Sequence, residues 1–259
     1  MIVKRDMLFT PANANRPLHI WLPEGYEDSD ERYPVMYFFD GHNLFSDEDA
    51  TFGKSWGLGE FLLHWEKPMI VVGMECGHGD RERLIEYCPY HFVGGFWGDL
   101  RGDGDATIRF MVEELKPMID SEYRTYAHRE ATGIGGSSMG GLMSLYAGVR
   151  YNSVFSKAAC VSSAISPCMP DLLGNIAESD IDPDTRFYLS WGTEEAGGKA
   201  INPKDDWNTG AARCNSTVAE RLKEKGALTR LVCQRGGGHC EADWEKLVPG
   251  FMEYLWLDK

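Results

Sequence analysis

Short apolar segments alternate with amphipathic segments along most of this 259-residue chain. The apolar segments have the length of strands and end in turn-forming residues, and the amphipathic segments have helical periodicity. Such alternation indicates an α/β fold with a mostly parallel central sheet of about eight strands and helices on both faces. Strands are predicted at Val3–Thr10, Leu18–Leu22, Val35–Phe39, Met69–Met74, Ala131–Gly135, Lys157–Ser162, Phe187–Trp191 and Arg230–Gln234, the first two as a hairpin. Helices are predicted at about residues 57–66, 105–120, 139–150, 208–226 and 242–257.

Two long connections are candidate walls of a binding site. They are Gly77–Gly104, which is rich in glycine and aromatic residues, and Glu194–Asn215. Both follow predicted strands, and ligands of such sheets bind beyond the carboxyl ends of the strands. No repeat, low-complexity tract or linker interrupts the chain, so we predict a single domain over residues 1–259.

Charge and cysteine content narrow the class of partner and the compartment. The formal net charge of −14 repels polyanions, which argues against a nucleic-acid-binding protein. The seven cysteines are odd in number and lack C-x-x-C spacing, which is typical of reduced thiols in a cytoplasmic protein. The first eleven residues lack the apolar stretch of a signal peptide, and no segment approaches the length of a membrane span. We therefore expect a cytoplasmic protein without membrane association.

The segment Gly136–Gly140 fits the pattern G-x-S-x-G. It lies between a predicted strand and a predicted helix, a context in which this pattern forms a sharp turn that exposes the central serine hydroxyl. Ser138 is therefore predicted to be a nucleophile. The N-terminus of the following helix favours negative charge, and the backbone N–H of Met139 is predicted to donate to an oxyanion. A phosphate-binding turn is the alternative, but the lysine of a P-loop is missing.

The general base is predicted to be His239. It is the only histidine C-terminal to Ser138, and it follows the last predicted strand, Arg230–Gln234, through a glycine-rich segment. In chains with this serine motif, the usual order is serine, acid, histidine, with the histidine on a loop after the last strand.

The acid is predicted in the loop after the strand Phe187–Trp191, as a carboxylate that orients the base. Glu194 and Glu195 begin this loop, and Asp205 and Asp206 lie further along it as reserves. The residues alone leave the two glutamates as equal candidates.

A second oxyanion donor is expected in the loop after Val35–Phe39. Gly41 allows the backbone to approach a substrate closely, and the next residue, His42, can then offer its N–H. The His42 side chain could instead contact the substrate. The aromatic residues of the Gly77–Gly104 connection are further candidate pocket walls, namely Tyr87, Tyr90, Phe92, Phe96 and Trp97.

Several segments carry motifs that are specific in combination. They are Leu22–Tyr26 (LPEGY), Asp40–Phe45 (DGHNLF), Arg83–Pro89 (RLIEYCP), Glu113–Asp120 (EELKPMID), Tyr123–Thr125 (YRT) and Gly135–Gly141. In these segments, which span nearly the whole chain, it resembles the esterase family that contains esterase D (S-formylglutathione hydrolase), feruloyl esterases, enterochelin esterases and mycolyltransferases. The chain departs from the family at His42, where glutamine is usual, and at Cys88, where threonine is usual.

This resemblance implies an α/β-hydrolase fold with Ser138 and His239 as nucleophile and base. In similar esterases the acid lies three residues after the strand-ending glycine, which selects Glu195, and the oxyanion donor follows the loop glycine, which matches His42. The implied protein is a serine carboxylesterase that hydrolyses small acyl or aryl esters through an acyl-enzyme. An acyltransferase using the same site and a non-catalytic binding protein on the same fold are the alternatives.

The expected partner is a small-molecule ester, with Gly41, Tyr87 and Trp97 as candidate substrate contacts. We expect no cofactor and no metal, since His78 and His91 of the long connection lack the spacing of metal ligands. A homo-oligomer is compatible with the sequence.

Overall fold

The computed structural model describes residues 1–94, 98–200 and 205–257. Within these ranges the chain forms two sheets, one of eight strands and one of two. The strands are β1 (Ile2–Phe9), β2 (Ala14–Trp21), β3 (Val35–Phe39), β4 (Ile70–Met74), β5 (His91–Gly94), β6 (Gly98–Arg101), β7 (Thr132–Ser137), β8 (Lys157–Val161), β9 (Arg186–Gly192) and β10 (Leu228–Gln234).

The large sheet has the strand order β1-β2-β4-β3-β7-β8-β9-β10. The hairpin of β1 and β2 is antiparallel and pairs antiparallel with β4, whereas the six strands from β4 to β10 in this order are parallel. The predicted mostly parallel sheet with an opening hairpin is confirmed. Because β3, β7, β8, β9 and β10 are parallel, the loops that follow them meet at one edge of the sheet.

Helices cover both faces of this sheet, as the alternating pattern predicts. They are α1 (Leu58–Leu63), α2 (Glu82–Glu86), α3 (Gly104–Phe110), α4 (Lys116–Glu122), α5 (Met139–Arg150), α6 (Met169–Glu178), α7 (Gly210–Glu224), α8 (Glu241–Trp244) and α9 (Val248–Trp256). A π-helical turn at Met111–Leu115 connects α3 to α4. One apolar core includes side chains of α3, α5, α6 and α7, and the other includes side chains of α1 and α9. Within the described ranges, no helix is both long and apolar enough to cross a bilayer.

Two segments that the sequence pattern leaves as loops contain regular structure. The Gly77–Gly104 connection holds α2 and the β5–β6 hairpin, and the segment after β8 holds α6. The five-residue helix α2 is too short to be stable by itself, and it is held by tertiary contacts. The buried carboxylate of Glu86 pairs with Arg16 of β2 and accepts the backbone N–H of Gly77 at 2.8 Å. Contacts of this kind join residues far apart in sequence, so local periodicity does not show them.

The loop after β3 lies directly against β4 because two glycines meet there. A Cβ atom added at Gly41 would lie 2.5 Å from the backbone carbonyl of Gly73, so neither strand-end backbone could keep its position. This close approach places residues 40–43 beside the end of β4.

The variant Gly41→Ala is therefore expected to be destabilised. Overpacking against a rigid backbone costs about 1–3 kcal/mol, which corresponds to a fall in Tm of about 2–4 °C per kcal/mol for a chain of this size. Gly174→Ala is the matched control, because Gly174 lies in α6 and an added Cβ there would meet no atom within 4 Å. Alanine favours a helix over glycine by about 0.5–1 kcal/mol, so this control should keep or raise Tm. Equal melting temperatures for both variants would contradict the close approach.

Candidate active site

The turn between β7 and α5 presents Ser138 at the edge of the sheet. Ser138 has φ +58° and ψ −119°, a conformation that is costly for any residue with a side chain. A Cβ atom at Gly136 would lie 2.8 Å from the backbone of Gly140, so this turn requires glycine before the serine. The G-x-S-x-G pattern thus forms the sharp strand-to-helix turn that the sequence predicts.

Backbone hydrogen bonds to the neighbouring strand and its loop hold this turn. The N–H of Ser138 donates to Val161 at 3.0 Å, and the N–H of Ala164 donates to the Ser138 carbonyl at 2.9 Å. The Ser138 side chain is half-buried and lines two cavities. The Met139 N–H lies in the first turn of α5, where backbone N–H groups have no acceptor within the helix.

Glu195 and His239 come together at the same edge of the sheet. Oε2 of Glu195 lies 3.2 Å from Nδ1 of His239, and Oε1 accepts the Gly192 N–H at 3.0 Å. Glu195 is 9% exposed, and His239 lines both cavities that Ser138 lines. Glu194 instead points away and lies 3.5 Å from Lys199 in an exposed ion pair. The structure therefore brings Glu195, and not Glu194, to His239.

Two residues that the sequence analysis does not single out support this carboxylate. The Ser162 hydroxyl donates to Oε1 of Glu195 at 2.6 Å, and Nε1 of Trp244 donates to the same hydroxyl oxygen at 3.0 Å. The Trp244 ring also packs edge-on against His239, with ring centroids 5.0 Å apart. Ser162 directly follows β8, so the rule that places functional groups after parallel strands could have found it. Trp244 belongs to a predicted helix, and no local pattern indicates its contact.

The loop after β3 places His42 near the same site. His42 is 7% exposed, lines one of the two cavities, and lies with Nε2 2.9 Å from Oγ1 of Thr51. The pKa of His42 lies below its ordinary value, because burial of the ring outweighs the opposite effect of the Asp40 and Glu75 charges. Gly41 packs on Gly73 and is not among the residues lining the cavity. This packing positions His42, and the contact of Gly41 with a substrate stays a prediction.

Arg83 and Asp40 form a two-bond ion pair beneath this loop. Nε and Nη2 of Arg83 donate to the two carboxylate oxygens of Asp40 at 2.8 and 2.7 Å, and both residues line the cavity. Burial lowers the pKa of Arg83, but the adjacent Asp40 raises it above its ordinary value. Arg83 therefore presents a permanent positive charge at the cavity wall.

The prediction that Tyr87 contacts the substrate is wrong. Tyr87 is fully buried, and its hydroxyl accepts the backbone N–H of Asp40 at 3.2 Å. Its ring packs against Phe39 and under the Arg83 guanidinium. The Tyr87 side chain has no face toward solvent, and it supports the Asp40–Arg83 pair from the core side. Trp97 and Phe96 lie outside the described residues.

Two cavities flank Ser138 and His239, and they differ in chemistry. The β4-side cavity has a volume of about 480 Å³ and is lined mainly by polar and charged residues, among them His42, His78, Arg83 and Glu241. The β9-side cavity has a volume of about 560 Å³. Its walls contain the apolar side chains of Ile165, Pro167, Trp191, Ala196, Ala211 and Cys214. Ser138 and His239 thus lie at the junction of two cavities, of which the β4-side cavity has more ionisable side chains in its wall.

Two carboxyl groups around the β4-side cavity have pKa values shifted in opposite directions. Burial raises the pKa of Glu241, and the negative charge of Asp40 raises it further. A hydrogen bond from the backbone N–H of Glu241 to its own carboxylate lowers this pKa but does not outweigh the two other effects. Burial also acts to raise the pKa of Glu75, but hydrogen bonds from His19 and His78 outweigh it and lower that pKa to about 2. Glu75 is therefore anionic at neutral pH, whereas Glu241 takes up a proton more readily than an ordinary glutamate.

Three side chains in and behind the wall of this cavity converge from the loops after two different strands. His42 follows β3, whereas Glu75 and His78 follow β4, and their potential ligand atoms lie within 4.8 Å of one another. His91, the other histidine of the long connection, lies in β5 and contacts Asp99 at 2.9 Å. The tertiary structure pairs His78 with different residues.

Comparisons with known proteins agree with this fold. A family model described as “Putative esterase” matches residues 11–252. The Bacillus subtilis protein YbbA, described as uncharacterized, is 24% identical over 249 residues, which are 94% of this chain and 93% of YbbA.

Two solved structures show the same fold at low identity. An IroE-like serine hydrolase from Shewanella oneidensis has a TM-score of 0.75 and 20% identity, over 98% of this chain and 80% of that one. A ferulic acid esterase from Anaeromyces mucronatus, in complex with ferulic acid, has a TM-score of 0.68 and 18% identity, over 98% of this chain and 89% of that one. With the family model matching nearly its whole length, the chain belongs to the “Putative esterase” family of α/β hydrolases and is a carboxylic ester hydrolase.

Proposed function

We propose that Ser138, His239 and Glu195 are the nucleophile, base and acid of a serine esterase. One observation carries the proposal: the Glu195 carboxylate holds Nδ1 of His239, while Ser162 and Gly192 hold the other carboxylate oxygen. Such an arrangement fixes the ring orientation and leaves Nε2 of His239 for the serine hydroxyl. His239 and Ser138 line the same two cavities, which supports their acting on one substrate.

The reaction proceeds in two steps through an acyl-enzyme. Nε2 of His239 takes the proton of Ser138 as the serine oxygen attacks the ester carbonyl, and Glu195 stabilises the resulting imidazolium. The backbone N–H groups of Met139 and His42 donate to the oxyanion, which the N-terminus of α5 also stabilises. His239 then protonates the leaving alcohol. Water, activated by the same histidine, releases the acid and restores the Ser138 hydroxyl.

We further propose that the substrate is a small ester with an aromatic group that enters the β9-side cavity. The apolar walls of this cavity suit a planar ring. Ser163 and Asn215 are among its lining residues, and the Ser163 hydroxyl and Oδ1 of Asn215 are buried without a hydrogen-bond partner within the described protein. A side-chain rotation would offer either group to a hydroxyl on that ring. The similarly folded ferulic acid esterase binds ferulic acid, an aromatic acid with a ring hydroxyl.

Ser138→Ala is expected to lower kcat for p-nitrophenyl acetate by about 10⁴-fold or more, because the acyl-enzyme can no longer form. Ser137→Ala is the matched control: Ser137 is the adjacent serine and lines the β4-side cavity, but lies within β7. We expect it to change kcat less than about tenfold, since its hydroxyl takes no part in the reaction. Wild-type turnover by Ser138→Ala would rule out Ser138 as the nucleophile.

Glu195→Gln should lower kcat on the order of 10⁴-fold, because the amide no longer provides the negative charge that orients His239 and stabilises its imidazolium. Glu194→Gln removes the neighbouring exposed carboxylate, which pairs only with Lys199 among the described contacts, and should leave kcat within about twofold. Steady-state kinetics on both variants separates the two glutamates. A larger loss in Glu194→Gln than in Glu195→Gln would refute the assignment of the acid.

Ala211→Phe tests the aromatic pocket by filling the β9-side cavity at the first turn of α7. The value of kcat/KM for methyl ferulate should fall at least about tenfold, because the added ring takes the space of the substrate ring. Methyl acetate, which needs no such space, is the control substrate and should retain its kcat/KM. Equal losses for both esters would argue against this pocket while leaving the role of Ser138 intact.

A further inference from the structure

We propose that His42, Glu75 and His78 form a binding site for a first-row transition-metal ion, best matched by Zn²⁺, in the wall of the β4-side cavity. His42 and His78 line this cavity together with Ser138, and Glu75 lies directly behind them. The site is additional to the ester-hydrolysing residues. Its existence does not depend on how Ser138 reacts.

The three ligand atoms are already close to the spacing that one ion requires. Oε2 of Glu75 lies 2.8 Å from Nε2 of His78 and 4.0 Å from Nδ1 of His42. Zinc binds such atoms at about 2.0–2.2 Å, so tetrahedral ligands lie about 3.5 Å apart. Adjustments of about 1 Å would therefore suffice. His78 can make them, because its side chain is 61% exposed.

The strongest evidence is an unsatisfied nitrogen on His42. Its Nδ1 is buried in a side chain that is only 8% exposed, and it has no hydrogen-bond partner among the residues that the structure describes. Leaving a buried polar atom without a partner is energetically unfavourable. Nε2 of the same ring contacts the Thr51 hydroxyl at 2.9 Å. If Nε2–H donates there, Nδ1 has a free lone pair facing Glu75, as in a metal-bound histidine whose other nitrogen is held by an outer partner.

The Glu75 carboxylate is oriented by a histidine on the side away from His42 and His78. Nε2 of His19, which is almost fully buried in β2, lies 2.7 Å from Oε1 of Glu75. This contact orients the carboxylate and leaves Oε2 toward His42 and His78. Outer contacts of this kind to a ligating carboxylate are typical of metal sites.

The donor set selects the class of metal. Two imidazole nitrogens and one carboxylate oxygen suit Zn²⁺, Co²⁺ and related ions, whereas Mg²⁺ and Ca²⁺ prefer oxygen ligands alone. Water from the β4-side cavity would complete the coordination, since both histidines line that space. The site therefore has three protein ligands and one exchangeable position.

The experiment uses the full chain without a histidine tag and titrates it with Zn²⁺ by calorimetry and with Co²⁺ by visible absorbance. We expect one ion per chain and cobalt bands of a four- or five-coordinate site. His78→Ala should weaken binding at least about tenfold, because it removes a ligand. His64→Ala is the matched control: His64 lies 3.5 Å from Glu60 in an exposed pair on the surface and should leave the affinity unchanged.

A further variant separates this site from adventitious binding by a thiol. Cys240 is exposed next to His239, and its Sγ lies 3.5 Å from Oδ2 of Asp243, so it could also attract Zn²⁺. Retained binding in Cys240→Ser is the expected result. The proposal is overturned if His78→Ala binds as tightly as the wild type, if Cys240→Ser abolishes binding, or if no stoichiometric binding occurs. Each of these results leaves the kinetics of Ser138→Ala, and thus the esterase mechanism, unaffected.

Discussion

The close contact of β7 with the first turn of α5 is the constraint on which the site depends. Gly136 and Gly140 have no side chains, so the backbone can reverse within a few residues and hold Ser138 at φ +58°. The strain of that conformation is offset by the hydrogen bonds between Ser138 and the β8 strand and loop. Because β7 lies in the middle of the sheet, the loops after β3, β8 and β9 flank the serine.

The second feature of the site is a buried carboxylate whose oxygens are each occupied. Glu195 accepts hydrogen bonds from Ser162 and Gly192 on one oxygen and contacts His239 with the other. A buried negative charge is tolerated only when such partners replace water. The β4 side repeats this arrangement with Asp40 and Arg83, and with Glu75 between two histidines. Ionisable groups are therefore concentrated on the β4 side of Ser138, whereas the β9 side combines Glu195 with several apolar side chains.

Much of the fold was predictable because it is encoded locally. The eight strands of the main sheet and the helix after Ser138 follow from apolar periodicity, and their observed bounds differ by only a few residues. The helix predicted at 242–257 is instead divided into α8 and α9 by a 3-10 turn at Glu245–Leu247. Elements held by distant contacts were not predictable in this way, as α2 and its Glu86–Arg16 pair illustrate. The error over Tyr87 has a related cause, because sequence does not distinguish an aromatic residue that faces a cavity from one that packs beneath it.

The sequence by itself determined the strand-turn-helix around Ser138 and named His239 as its only downstream histidine, since both depend on local pattern and chain order. It left Glu194 and Glu195 equal, and only the resemblance to known esterases favoured Glu195. The tertiary structure decided which carboxylate reaches His239, because adjacent side chains leave the backbone in different directions. It alone brought Ser162 to Glu195 and His42 to Glu75 and His78, since these residues come from loops after different strands that meet only when the parallel sheet assembles.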